Sequence, residues 1–329
     1  LFHSRNDKPF ASIPVDDHIE HWPIQSARFK DWLGSQFYEE HNTPPDAQAV
    51  LDAKSILRGK ARFDGPTRRV WTRVAQQEGA IYLDLGGPEW GAVEITSDGW
   101  EVIKDPPVIF RRSSSTQPLP DPAEDGDISL LRPLLNAGND ETWILNIAWL
   151  VAVFRPDKPF PIRVLNGEQG STKSTMAKML RRLVDPAKPA TKGFVKDERD
   201  LMISARSNHM LCLDNLSGIP IWLSDALCRL ATGSGFSTRK LYTDDEEEVF
   251  DATRPVTMNG ITSLTDRPDL ADRALISELP PVPDEERRPE EELWEEFEEI
   301  QPKVLGGLLD AVSVALDRIG DVDLDHHPR

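Results

Sequence analysis

Cysteine is nearly absent: the 329 residues hold two, Cys212 and Cys228. Both fall in predicted core segments, with the spacing of neither a secreted disulfide framework nor a zinc site, so a reducing cytoplasmic setting is expected. Long apolar runs are missing as well. The longest nearly unbroken one, residues 143–154, is interrupted by Asn146, whereas a membrane-spanning helix needs about 20 residues. It reads as a core helix, and no membrane partner is expected. No signal peptide opens the chain, and its first residue is Leu1 rather than Met, from which we expect a fragment of something longer. Basic charge is scarce: 38 Lys and Arg face 56 Asp and Glu, a net charge of −18. Most of the excess sits in two short acidic runs, 244–248 and 284–299. The remainder is close to neutral, so a polyanion can still bind, though only at a local surface.

With 39% hydrophobic and 29% charged residues, the chain has enough apolar material for two domains with real cores. Residues 26–41 carry Phe29, Trp32, Leu33 and Phe37 at helical spacing, and 45–59 reads as a second helix. Short segments rich in Val, Ile, Trp and Tyr follow at 69–74, 81–85, 92–96, 100–103 and 108–111, separated by Gly-Gly, Asp-Gly and Pro-Pro. These predict a β meander. The Ser- and Pro-rich stretch 112–126 reads as a linker or crossing loop. Beyond it, helices at 140–154, 173–183 and 221–231 alternate with strands at 161–165, 210–213 and 255–258, the pattern of an α/β layer with a parallel sheet. An acidic connection then leads to a last helix, 303–319. The expected division is 1–125, a smaller α+β unit of helix pair and meander; 126–279, the α/β core; and 280–329, the connection and final helix.

The most informative stretch joins a strand to a helix through Gly167, Glu168, Gln169, Gly170, Ser171, Thr172, Lys173, Ser174 and Thr175. It is one residue short of the phosphate loop G-x-x-x-x-G-K-[ST]. Such a loop offers backbone N–H groups at a helix N-terminus, a lysine for the β and γ phosphates, and a hydroxyl for Mg²⁺; Lys173 and Ser174 fill the last two roles. Thr172 stands where the last glycine is expected. If that position has positive φ, a β-branched residue costs on the order of 1–2 kcal/mol.

A phosphate-loop ATPase also needs a carboxylate at the end of a neighbouring strand, and the run 209–215 supplies Asp214 as a metal candidate beside Ser174. The next residue, Asn215, can orient water but cannot take its proton. Asn259 ends another short strand and is a candidate to orient water at the γ phosphate. Downstream, Arg273, with Arg267 as second choice, is a candidate to stabilise charge in a neighbouring subunit's site. Residues 235–250 read as a hairpin with a basic pair, Arg239 and Lys240, and an acidic tip. The pair suits a nucleic-acid phosphate backbone.

In order and spacing, GEQGSTKS, LCLDN, GFSTRKLYT, TMNG and DLADRAL resemble the superfamily 3 helicases, AAA+ ATPases of viruses, phages and mobile elements, with the phage primase-helicase type nearest. The likeness covers residues 162–275. It implies an AAA+ P-loop core, ATP and Mg²⁺ as ligands, a Walker A loop at 167–175, a Walker B acid at Asp214, DNA contacts at Arg239 and Lys240, a sensor at Asn259 and an arginine finger at Arg273. It further implies a hexameric ring around single-stranded DNA and an upstream primase-polymerase domain or other replication partners. Thr172, Asn215 and the acidic hairpin tip depart from the pattern and bear on hydrolysis rate and DNA grip. Three readings stay open: an ATP-dependent helicase or translocase, a nucleotide-binding assembly or regulatory module with weak turnover, and an AAA+ ATPase acting on a protein partner.

Overall fold

A computed structural model of the chain describes residues 1–193, 195–233, 253–260 and 264–323, and the backbone of 236–239 and 247–250. The opening residues, to which no sequence pattern assigns an element, form β1 (Phe2–Ser4), β2 (Pro9–Val15) and β3 (His18–Pro23). Pro9 and Pro14 disguise β2, because proline argues against a paired strand. Helices α1 (Ala27–His41) and α2 (Ala47–Phe63) follow as their spacing predicts. Ser26 and Asp46 cap them, accepting from Phe29 N and Gln48 N. Both helices pack on the sheet β3-β2-β1-β4, where β4 (Thr67–Arg68) runs parallel to β1. Phe29 and Ala61 meet Ile13 and Trp22 in that small core.

The strand predicted at 69–74 is divided. Between β5 (Val70–Trp71) and β6 (Val74–Gln77), Arg73 takes a φ of +62° and turns the chain. The meander is β6, β7 (Ala80–Asp84), β8 (Ala92–Thr96) and β9 (Gly99–Ile103), antiparallel throughout. β10 (Ile109–Phe110) pairs with β5 in parallel.

After a 3-10 turn (Ile128–Leu134), α3 (Asp140–Val153) leads into the α/β half, with β11 (Ile162–Gly167), α4 (Lys173–Val184), α5 (Glu198–Ser207), β12 (Leu211–Leu216) and α6 (Ile221–Thr232). The hairpin β13 (Phe236–Arg239) and β14 (Glu247–Phe250) precedes β15 (Val256–Gly260), α7 (Pro268–Ala271) and β16 (Ala274–Leu279). The sheet order is β12-β15-β11-β16, all parallel. Alternation along the strands makes three layers. Ile162, Val164, Leu211 and Leu213 face α5 and α6, while Leu165 and Cys212 face α3 and α4. Arg163, buried in the middle of β11, donates to Asn146 and Ser277, which explains the Asn that interrupts the apolar helix α3.

Sequence patterns miss α5 and β16, and the acidic connection is not a loop. Helix α8 runs from Glu290 to Arg318 straight through Pro302, and three acids in its first turn lie at the positive end of the helix dipole. The predicted linker is a packed strap: Leu119 is buried and its N–H donates to Leu85 O, while Ala123 and Asp127 donate to the carbonyls of Pro302 and Lys303. One hydrophobic cluster runs from Val74, Ile81 and Val93 of the meander through Leu119 to Trp149, Leu180 and Leu305. The 125/126 division therefore crosses continuous core.

Arg73 pins this seam. It is buried, and its guanidinium donates to Asp185 Oδ1 (3.0 Å), Asp84 O (2.9 Å), Gln117 O (2.7 Å) and Pro186 O (3.1 Å). Asp185 Oδ2 accepts from the N–H groups of His209 (2.8 Å) and Met210 (2.9 Å). Burial works to raise the Asp185 pKa, but Arg73, Arg181 and these bonds hold it below the usual carboxylate range.

Candidate active site

The loop between β11 and α4 depends on two glycines. Gly167 has φ +152°, and a Cβ there would lie 2.6 Å from Ser171 Oγ and 2.7 Å from Leu279 O. Gly170 has φ +87°, and its Cβ would meet Arg287 Nη2 at 2.9 Å. Thr172 occupies the left-handed region at φ 60°, ψ 20°, so the geometry is the one a glycine would serve and a β-branched residue bears the strain. It makes no side-chain cap on α4, and the first-turn N–H groups stay directed at the loop mouth, where an anion is favoured. Glu168, Gln169 and Gly170 are exposed, Ser171 is buried and donates to Glu168 O (2.8 Å), and Thr175 is half-buried in the first turn.

Lys173 curls back over the loop. Its Nζ donates to the carbonyls of Gly167 and Glu168, both at 2.7 Å, and to Ser171 Oγ at 3.3 Å. Burial lowers its pKa, opposed by the charge of Asp214. Ser174 Oγ donates to Asp214 Oδ1 at 2.7 Å, joining the first turn of α4 to the end of β12. Asp214 is set by a β-bulge: the register of β12 on β15 slips between Leu213 and Leu216, and Asp214 N donates to Lys192 O (2.8 Å).

Asn215 is the left-handed residue of that bulge, at φ +58°. This gives a local reason for Asn in place of an acid, since Asn is among the few residues that visit this region readily. Its N–H donates to Asn259 Oδ1 at 2.9 Å, which fixes the amide orientation because a donor must meet the oxygen. Asn259 is buried, and its Nδ2 has no hydrogen-bond partner among the described residues. The structure thus brings together Lys173, Ser174, Asp214, Asn215 and Asn259.

The arginines lie elsewhere. Arg273 immediately precedes β16, beside the start of β11 rather than its loop end, and donates to the carboxylate and the carbonyl of Asp269. Arg267 pairs with Asp225 at 2.6 Å. Arg239 ends β13 opposite Glu247. Lys240 and acidic-tip residues 244–246 lie outside the described residues. Sequence reasoning missed Arg287, whose guanidinium lies against Gly170 and is held by Asp284 (2.8 Å) and Val282 O (3.2 Å). Its only signal was a basic pair inside an acidic run.

Among the described residues, no helix is long and apolar enough to cross a membrane, and no group of three or more His, Cys, Asp or Glu forms a metal cluster. No curated protein matches the sequence. The chain is similar to the apo A form of the NrS-1 C-terminal region, with a TM-score of 0.49 and 13% identity over 98% of this chain and 66% of that one. Another apo structure of the A form, of region 305–718, gives 0.48 and 11% over 93% and 65%. JCV helicase bound to a substituted acetamide gives 0.37 and 14% over 60% and 61%. The chain spans about two thirds or less of the length of these solved chains. A model of the AICE_RepA family, described as actinomycete integrative conjugative element replication protein, matches residues 128–325. That match takes in the whole parallel sheet with its loop, agrees with the mobile-element setting implied by the motifs, and covers more than half of the sequence: the chain belongs to the actinomycete integrative conjugative element replication proteins.

Proposed function

We propose that this replication protein is an ATP-dependent single-stranded DNA translocase or helicase, hydrolysing Mg·ATP between subunits of a ring. The observation that carries the reading is the 2.7 Å bond from Ser174 to Asp214 at the mouth of a loop spanned by Lys173. Two hard oxygens side by side suit Mg²⁺, which takes one or two protein oxygens and completes its shell with phosphates and water. Held by Ser174 and Asp214, Mg²⁺ would supply charge neutralisation at the β and γ oxygens. Lys173 exchanges loop carbonyls for phosphate oxygens, and Arg287 adds a second cation over Gly170. Asn259 offers Nδ2 to the attacking water or the γ phosphate. Arg273 is about six strand residues, roughly 20 Å, from its own loop along β16, so it serves a neighbour's site once it leaves Asp269. Arg239 and Lys240 grip the strand.

A second reading, a nucleotide-gated assembly module with slow turnover acting on a protein partner, is favoured by Thr172 at positive φ and by an amide, not an acid, after Asp214. Turnover with and without single-stranded DNA, beside a mass measurement in ATP, separates the two. DNA-stimulated hydrolysis by a ring, reduced at least 100-fold by Lys173→Ala, is expected. Tight ATP binding without turnover or DNA affinity selects the module.

A further inference from the structure

At the end of the parallel sheet away from the phosphate loop, a cavity of about 530 Å³ opens between the first strands and the approach to β12. Arg5, Lys8, Arg69, Arg111, Arg206 and Arg254 line it, and Asp157 is the one carboxylate among its described lining residues. That carboxylate is paired with Arg69. Such a concentration runs against a net charge of −18, and the cations come from five separate stretches of chain, so no single amphipathic element explains it. Gly233 and Thr253, on either side of the hairpin, also line the cavity, which places it at the hairpin's root.

Two side chains ask for an anion. Arg111 is half-buried, and burial together with the charge of Arg206 works against its protonated form. Thr253 is 5% exposed, and its Oγ1 has no hydrogen-bond partner among the described residues. A phosphate oxygen entering the cavity relieves the first and satisfies the second. The ends of α5 and α6 that line the cavity are carbonyl ends, which steady guanidinium groups but form no phosphate nest. With its carboxylate already paired, the cavity also lacks the metal ligand a triphosphate uses. Separate point cations suit a phosphodiester backbone, and the volume lies within the range that takes a ligand of nucleotide size.

We propose that this cavity is a second nucleic-acid station, holding backbone phosphates of a single strand beside the hairpin root. It goes beyond the ATPase reading and requires no nucleotide. The test is fluorescence anisotropy of labelled oligo(dT) without ATP, using the whole chain carrying Arg239→Ala and Lys240→Ala so that the hairpin pair is silent. On that background, Arg111→Gln and, separately, Arg5→Glu are each expected to weaken binding roughly five- to tenfold and to lower the salt slope by about one. Arg5 is exposed, so its replacement leaves folding intact, as circular dichroism would verify. Unchanged affinity and slope in both folded variants overturns the proposal. So does binding of inorganic phosphate or ADP that the variants abolish while oligo(dT) is ignored, which assigns the cavity to a small anion. A chain that binds ATP, loses it with Lys173→Ala and never binds DNA overturns the station while leaving the phosphate loop standing.

Discussion

At the carboxyl ends of β11 and β12, Lys173, Ser174 and Asp214 are half-buried and bonded to one another or to loop carbonyls. At the opposite end of the sheet, Arg73, Asp185, Arg181 and His209 are buried, and each is held by fixed partners from distant segments. The first set can trade its partners for phosphate and water at little cost. The second cannot, because a buried charge stripped of its partner has no solvent to fall back on. Charge at the loop end is placed to exchange ligands, as the proposed ATPase requires; charge at the seam fixes how the meander sits on the α/β half.

The sharpest way to break that contrast is Asp185→Ala, which strands Arg73 and two backbone N–H groups. We expect a loss of about 3–5 kcal/mol, a large share of a typical domain's stability, measured by urea denaturation. Normal stability with impaired ATP binding would reverse the roles assigned to the two ends.

A smaller effect is expected from pH. Burial, then the charge of Arg254, pushes His209 down to about 4, against 6.5 when unfolded. Between those values the unfolded chain takes up the proton and the folded one does not, so stability falls as pH drops through this window and levels off below about 4. From pH 7 to 5, native protein should lose about 2 kcal/mol more than His209→Gln. Equal losses in urea midpoints for the two chains would show that His209 charges freely in place.

The smallest effect tests the loop end. Thr172→Gly removes a strained left-handed residue but loosens the unfolded chain, for a net gain of no more than about 1 kcal/mol and slightly tighter ATP binding. A lower thermal midpoint for the glycine chain would mean that Thr172 rests there without strain.

What could be read from sequence follows the same division. The residues proposed to hold phosphate and metal, and Asn259 beside them, could be picked out because the chemistry proposed for them demands fixed residue types at strand ends, and the parallel sheet followed from the alternation of strands and helices. β2 was hidden by its prolines. β16 escapes pattern reading because Ser277 and Glu278 break its short apolar run, and the first half of α8 reads as acidic connection because charge masks its helical period. The seam was illegible for another reason: Arg73 meets Asp185 across 112 positions, and no local pattern marks either residue. Arg287 likewise belongs to the site only through folding, and the cationic cavity only through the convergence of separate segments.

The core shared across residue 126 has a consequence for exchange between mobile elements. Recombination that grafted a new front part onto residues 127–329 would carry over every motif of the proposed ATPase, yet leave the faces of Trp149, Leu180 and Leu305 to a stranger's side chains. Such a hybrid would be expected to aggregate unless the incoming meander brought residues shaped like Val74, Ile81 and Val93. The shared core predicts that the two parts of this chain are exchanged as a matched pair rather than as interchangeable modules.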